Sequence, residues 1–169
     1  METKEFRKQF GVVLKSLGFK KYKSFWIRKG KEVSELVELQ RSQYGRFYYF
    51  HYKYLINNLN VENVIFGGHA TAMVDIDDSE MKVFKGTLDL ENNLSDNERM
   101  LSLEFFLKKI LEGKANIIDT ETKLIKYIVS NEKVITFKPI VDYLKMNHPE
   151  VSSKDWGRFQ LPVARDANQ

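Results

Sequence analysis

Cysteine is absent from the 169 residues of this chain. Its absence excludes disulfide bonds, thiol nucleophiles, iron–sulfur clusters and cysteine-ligated zinc, and it fits a reducing compartment. No apolar run approaches the roughly 18 residues that a membrane-spanning helix needs. The first five residues, Met-Glu-Thr-Lys-Glu, lack the apolar core of a secretory signal. We therefore expect a cytoplasmic protein with no membrane partner.

Recognisable catalytic and metal-binding signatures are also missing. Gly67-Gly68 is not followed by the lysine and hydroxyl residue of a phosphate-binding loop. The acidic cluster between residues 75 and 80 lacks the glycine and the later glutamate of a calcium-binding loop. None of the histidines has the spacing of a zinc or catalytic motif; they are His51, His69 and His148. The sequence therefore favours a non-enzymatic protein without a cofactor or a bound metal ion.

Charge is plentiful and unevenly distributed along the chain. Residues 1–56 hold 13 basic and 5 acidic side chains, whereas residues 57–104 hold 3 basic and 10 acidic ones. The whole chain carries a formal net charge of +4. Basic and acidic elements often neutralise one another within a fold, but a basic first third also attracts an acidic protein or a nucleic acid.

The apolar pattern at the N-terminus predicts an amphipathic helix over residues 3–17. Thr3 is predicted to cap its first turn. Gly18 follows the last apolar residue, at the position where a left-handed cap ends a helix. The predicted inward stripe consists of Phe6, Phe10, Val13, Leu14 and Leu17.

The next part of the chain is rich in aromatic and β-branched residues. Residues 19–29 and 32–42 predict a β-hairpin around Gly30 and Lys31. Further extended segments are predicted over residues 46–56, 61–66, 70–76 and 81–90. Successive short strands with short turns are typical of an antiparallel sheet.

Helical patterns return near residue 95, where Ser95 and Glu98 have the spacing of a capping box. Helices are predicted from there to Gly113, from Asp119 or Thr120 to Ile128, and over residues 137–147. We therefore predict an α+β fold with an N-terminal helix, an antiparallel sheet of about five strands, and two or three C-terminal helices packed on one face. Residues 1–150 are expected to form a single domain, and residues 151–169 a polar, partly docked C-terminal tail.

Several short motifs resemble those of one bacterial family. They are Leu17-Gly18-Phe19-Lys20, the pair Phe25 and Arg28, and Leu39-Gln40-Arg41-Ser42-Gln43-Tyr44-Gly45 followed by Phe47. Over roughly residues 6–56 the chain resembles the domain-of-unknown-function family four-three-zero-four. The resemblance implies no catalytic residue, because the family has no established activity. Some relatives belong to toxin–immunity neighbourhoods, so the resemblance implies, by association, a partner-binding role as an immunity or accessory protein.

The segment from Tyr44 to Tyr54 contains seven aromatic residues. Alternate residues of this segment would share one strand face. If exposed, such rings suit a protein interface or base stacking; if covered by helices, they form a core strand. We predict a binding surface for a protein partner, with rings that anchor and an arginine that steers. Its residues are Arg46, Tyr48, Phe50, Tyr52 and Tyr54.

A second candidate is the polar row Gln40, Ser42 and Tyr44, which alternate along the chain. Such a row suits a small ligand, although these groups also commonly satisfy a neighbouring turn. Three functions are therefore considered. The first is binding of an unidentified protein partner. The second is binding of RNA or single-stranded nucleic acid through the basic, aromatic N-terminal third. The third is a small-molecule enzyme or sensor that uses the polar row.

Overall fold

The leading helix forms as its apolar stripe predicts. A computed structural model describes residues 1–59, 70–72, 78–112, 118–131 and 134–157, and its first helix, α1, spans Thr3–Ser16. All five residues of the predicted stripe are buried. Thr3 does not cap the helix, because Glu2 occupies the N-cap position and makes no side-chain capping bond. That part of the prediction is wrong.

The end of α1 is set by Gly18, whose φ of +84° lies in the left-handed region. Its N–H donates to the Lys15 carbonyl, and the Phe19 N–H donates to the Leu14 carbonyl, at 3.1 and 3.0 Å. These two bonds satisfy carbonyls that the last helical turn leaves without partners. The predicted glycine cap is confirmed.

Among the described residues, six strands follow one another in sheet order as they do in sequence. They are β1 (Lys20–Tyr22), β2 (Phe25–Arg28), β3 (Val33–Arg41), β4 (Tyr48–Ile56), β5 (Ala70–Ala72) and β6 (Val134–Thr136). Strands β1 and β2 pair antiparallel with Lys21 opposite Trp26, and β5 pairs antiparallel with β6. The predicted antiparallel sheet is confirmed, with short strands raising the count to six.

The segment predicted as one strand over residues 19–29 is itself a hairpin. Strands β1 and β2 are joined by Lys23 and Ser24, and Lys23 has a φ of 53°. A lysine in the left-handed region is uncommon, because its Cβ crowds the backbone. The turn therefore carries no glycine or asparagine signal in the sequence.

The segment predicted as a strand over residues 81–90 forms a helix, α2 (Asp78–Leu88). Its buried residues Phe84, Thr87 and Leu88 are three and four positions apart, which is helical spacing. Asp78 and Glu80 lie in the first turn, where acidic groups favour a helix. Of the other predicted strands, 61–66 lies outside the described residues, as do 73–76 of the segment 70–76.

The remaining helices are α3 (Asp96–Glu112), α4 (Glu121–Ser130), α5 (Lys138–Asn147) and the short α6 (Ser153–Trp156). Helix α3 begins with the predicted capping box, in which the Glu98 N–H donates to the Ser95 hydroxyl and the Ser95 N–H donates to the Glu98 carboxylate. Thr120 caps α4 by accepting from the Lys123 N–H. The α+β class, with an N-terminal helix and several C-terminal helices, is confirmed. No helix in the described ranges is long and apolar enough to span a membrane.

The described residues fall into two compact units. Met1–Arg28, Leu36–Tyr52 and Val74–Ile117 make up the first unit; Lys29–Glu35, Lys53–Met73 and Ile118–Gln169 make up the second. The first unit has an aromatic core in which Phe10 of α1 contacts the Trp26 ring at 5.1 Å. In the second unit the Tyr54 and Tyr127 rings meet edge to face at 5.5 Å. In its C-terminal part, the Lys145 ammonium lies 5.9 Å from the Trp156 ring.

Candidate functional site

The predicted binding surface on β4 is mostly covered. Tyr48, Tyr52 and Tyr54 are 3, 1 and 0% exposed. Phe50 is half-buried, and its ring contacts those of Phe10 and Phe84. This face is therefore mostly covered by helices, which is the core-strand alternative, and the partner-binding role of these residues stays a prediction.

Contacts with α1 cover part of this face of β4. The Tyr48 ring stacks on Phe6 of α1 at 5.3 Å in the first unit. Burial also raises the pKa of the Tyr48 hydroxyl, against the opposing effect of Arg7 and Arg41. Arg46 is half-buried, and its guanidinium donates to the Met1 carbonyl at 3.0 Å and pairs with Glu2 at 3.3 Å. Arg46 thus holds the N-terminus of the chain.

The predicted polar row is not formed by the structure. Strand β3 ends at Arg41, so Ser42 and Tyr44 lie in the connection to β4 instead of on a strand face. Ser42 is buried, and its hydroxyl accepts from the Tyr44 N–H at 3.1 Å. The Tyr44 side chain is 85% exposed, and the Gln40 amide oxygen contacts the His51 ring at 3.0 Å. Of the three, the Ser42 hydroxyl satisfies a turn, which is the second interpretation of the pattern.

The described residues contain no group of three or more histidine, aspartate and glutamate side chains arranged to hold a metal ion. Of the acidic cluster between residues 75 and 80, Asp78 and Glu80 lie in the first turn of α2. Asp75, Asp77 and the nearby His69 lie outside the described residues.

A groove in the first unit brings together basic and aromatic side chains that the sequence places apart. It has a volume of about 430 Å³ and is bordered by α1, β1 and β2. Two features define it: a floor of buried rings and a rim of basic side chains, of which the four lysines are exposed and Arg7 is half-buried. Its described lining residues are Arg7, Lys8, Gly11, Val12, Lys15, Phe19, Lys20, Lys21 and Trp26. We call this set the basic groove.

The floor of the basic groove is apolar and firmly packed. Phe19 and Trp26 are 2 and 3% exposed, so each ring offers only a small area to the groove. Val12 is 56% exposed on α1 and adds apolar surface at the side. A floor of this kind accepts an apolar group but leaves no open ring face for a stacked base.

The rim of the basic groove has one sign of charge. Five of its described lining residues are basic and none is acidic. The Glu5 carboxylate lies 3.7 Å from the Lys8 ammonium in an exposed pair. Exposed pairs of this kind are weak, so the rim keeps a positive field that attracts an anionic ligand.

Arg28 fixes the position of Phe19 in the floor of the basic groove. Its guanidinium lies 4.7 Å from the Phe19 ring centroid and donates to the Leu17 and Leu111 carbonyls at 3.0 and 2.9 Å. These bonds link the end of α1 to the end of α3. The floor is therefore fixed before any ligand arrives, which lowers the entropy cost of binding.

The basic groove was not predicted as a site, although its signals are present. Arg7, Lys8 and Lys15 all lie on α1, and Lys8 and Lys15 share a helix face because they are seven residues apart. Lys20 and Lys21 follow the predicted glycine cap. The excess of basic residues is evident in the sequence, but the hairpin that places Trp26 beside α1 is not.

A second polar cluster lies within the other unit, around the buried Glu121. The Glu121 carboxylate accepts from the Tyr143 hydroxyl at 3.0 Å and contacts His148 Nε2 at 2.9 Å. The other ring nitrogen of His148, Nδ1, lies 3.1 Å from the Glu150 carboxylate. The Glu121 N–H donates to the Glu32 carboxylate at 3.0 Å. This cluster ties the start of α4 to the end of α5.

The environment of His148 raises the pKa of its imidazole. Burial by itself lowers the pKa of the imidazole, but the hydrogen bonds and charges of Glu121 and Glu150 together raise it above the usual 6.5. The pKa of the Glu150 carboxyl is held below its usual range, first by a hydrogen bond from the Glu150 backbone N–H and then by the contact with His148. The arrangement stabilises a protonated histidine between two carboxylates.

Comparison with known proteins relates one segment of the chain to a family. Residues 10–83 match the family model described as Domain of unknown function (DUF4304). The match confirms the resemblance over this segment, which contains most residues of the basic groove, from Gly11 to Trp26. No curated protein and no solved structure matches the chain.

Proposed function

We propose that this chain is a non-enzymatic binding module whose basic groove takes an acidic segment of a partner protein. The observation that carries the proposal is a rim of five basic side chains, with no acidic one among the described residues, around an apolar floor. The bacterial and cytoplasmic setting, and a role as an immunity or accessory protein, belong to the same proposal.

The size and chemistry of the basic groove support a peptide as the occupant. Its volume of about 430 Å³ is within the roughly 300–1,000 Å³ of ligand sites and holds a few side chains. An acidic segment with an interspersed apolar residue would match both parts of the site. The apolar side chain would cover Val12 and the Phe19 floor, while carboxylates would face the lysines of the rim.

A charge-reversal variant tests this proposal. Lys20→Glu combined with Lys21→Glu places two carboxylates on the rim, at exposed positions of β1. Lys82→Glu combined with Lys85→Glu is the matched control, because both lysines are exposed on α2 and do not line the groove. Reversal on the rim is expected to weaken partner binding at least about tenfold, since repulsion replaces attraction.

The measurement is recovery of partner proteins by tagged protein from a nuclease-treated host lysate, followed by titration calorimetry with the purified partner. The proposal predicts one protein that the wild type and the control variant retain and that the rim variant loses. Retention of the same protein by the rim variant would show that the interface lies elsewhere.

Nucleic-acid binding is the second candidate, and one observation favours it. Tyr22 is 49% exposed at the end of β1, and the Lys23 ammonium lies 5.6 Å from its ring. An exposed ring beside a cation suits a stacked base next to a phosphate. Material that is retained from untreated lysate only, and released by nuclease, would support this candidate over a protein partner.

A further inference from the structure

The indole Nε1 of Trp26 lies close to Gly11 of α1. A Cβ built on Gly11 would lie 3.4 Å from Trp26 Nε1 and 3.6 and 3.8 Å from the two neighbouring ring carbons. The N–H edge of the indole, and not its face, therefore points toward α1 at this position. Gly11 and Trp26 both line the groove.

This N–H makes no hydrogen bond to any described part of the chain. Trp26 is 97% buried as a residue, but its Nε1 is not among the buried atoms without a partner in the described part of the chain, so this donor is not sealed from solvent. Its ring is held by Phe10, which contacts it edge to face at 5.1 Å. The structure thus holds a fixed donor whose free side is the groove.

Gly11 has no backbone or packing reason to be glycine. It lies in the interior of α1, where glycine lowers helix stability relative to alanine, and its φ is not in the left-handed region. The nearest atoms to a Cβ would be at ordinary contact distance, so alanine would fit. What alanine would change is access, because its methyl group would cover the Trp26 N–H.

We propose that the Trp26 N–H donates to a carboxylate oxygen of the acidic partner and that Gly11 keeps this donor open. The inference rests on the proposed function and names its anchoring contact. The positive rim selects a charged acceptor, since the Lys21 ammonium lies 5.9 Å from the Trp26 ring centroid. A hydrogen bond from a fixed donor to a charged acceptor is stronger than one between neutral groups.

The test uses the full chain with Trp156→Phe, which leaves Trp26 as its one tryptophan. The probe is a short synthetic peptide of alternating aspartate and leucine, and the matched probe has asparagine in place of aspartate. Affinities come from tryptophan fluorescence. The Trp26 indole N–H signal in isotope-labelled protein reports hydrogen bonding directly by nuclear magnetic resonance.

Two glycine variants separate access from helix stability. Gly11→Ala is expected to lower affinity for the aspartate peptide about fivefold or more while raising thermal stability. Gly86→Ala, the control within helix α2, is expected to leave affinity unchanged. In the parent protein the aspartate peptide should move the indole N–H signal to lower field, and the asparagine peptide should bind more than about tenfold more weakly.

The outcomes distinguish the two proposals. If the rim reversal abolishes peptide binding but Gly11→Ala binds like the parent with an unmoved indole signal, the Trp26 contact is refuted and the basic groove remains. If the parent does not bind the aspartate peptide, or if the rim reversal binds it equally well, both proposals are refuted. Trp26→Phe is a supporting variant; it removes the donor but also alters the core.

Discussion

At the scale of single residues, the second unit depends on a histidine placed between two carboxylates. The side chains of His148 and Glu121 are 15 and 8% exposed, so their contact is largely shielded from water. Glu150 is 66% exposed and contributes less. Because the folded protein holds the proton on His148 more tightly than the unfolded chain does, folding and protonation are linked.

The raised pKa of His148 makes the free energy of unfolding depend on pH. The pKa of His148 is raised in the folded protein, so its stabilising effect is complete below about 6.5, the pKa expected for the unfolded chain. The effect is lost as the pH rises from there through the folded pKa. The free energy of unfolding should fall over that window, with a slope of at most about 1.4 kcal/mol per pH unit.

Urea denaturation at a series of pH values checks this prediction, with His148→Gln as the comparison. The glutamine amide can still donate to Glu121 but does not titrate. Glu150 and Tyr143 do not titrate in this pH window. The pKa of Glu150 is lowered from 4.5, and that of Tyr143 is raised from 10.0. A constant difference between wild type and His148→Gln from pH 6 to 9 would contradict the assignment.

At the scale of secondary-structure elements, Arg99 connects α3 to the end of α2. This arginine is fully buried, and burial lowers the pKa of its guanidinium. It donates to the Gly86 and Thr87 carbonyls at 3.2 and 2.8 Å, and to the Asn92 side chain at 2.6 Å. These carbonyls lie in the last turn of α2, where the helix leaves acceptors without partners and favours a positive charge.

Replacement of Arg99 by leucine should therefore destabilise the protein by about 3 kcal/mol or more, because several buried carbonyls lose a charged donor at once. Chemical denaturation measures the change. Lys108→Leu in the same helix is the control; it removes only an exposed pair with Glu104 and should cost less than about 1 kcal/mol. Equal losses for the two variants would show that Arg99 does not organise this connection.

Elements with a repeating pattern were predictable from the sequence, whereas elements that depend on distant contacts were not. Helix α1 and its glycine cap follow from local spacing and from the freedom of Gly18 at positive φ. Helix α2 lies in the segment predicted as a strand, and its apolar residues do not all face inward, since Val83 is 55% exposed. Its buried positions became evident only from its contacts, such as that between Phe84 and Phe106.

For the candidate site too, the composition was predictable from the sequence, but the contacts between distant residues were not. The composition of the first 56 residues indicated a basic, aromatic binding region, and the basic groove lies in it. The burial of the β4 rings could not be predicted from the sequence, since β4 presents similar rings to both faces and only packing decides which face is covered. Phe6 stacks on Tyr48, whereas Tyr49 on the opposite face remains 45% exposed.

At the scale of the whole molecule, steering by net charge and steering by the local charge of the basic groove predict different association rates for an acidic ligand. The formal net charge of +4 becomes zero in both double variants described above, because each pair of lysine-to-glutamate changes removes two positive charges and adds two negative ones. If overall charge steered an acidic ligand, the two variants would associate equally slowly. If the field of the basic groove steers it, the rim variant alone would be strongly impaired.

Stopped-flow fluorescence with the aspartate–leucine peptide measures this difference as a function of salt. At low ionic strength the association rate constant of the rim variant should be lower than that of the control variant by about tenfold or more. The gap should close near 1 M salt, where the screening length falls to about 3 Å. Rates that remain equal for the two variants at every salt concentration would mean that the groove does not guide the encounter.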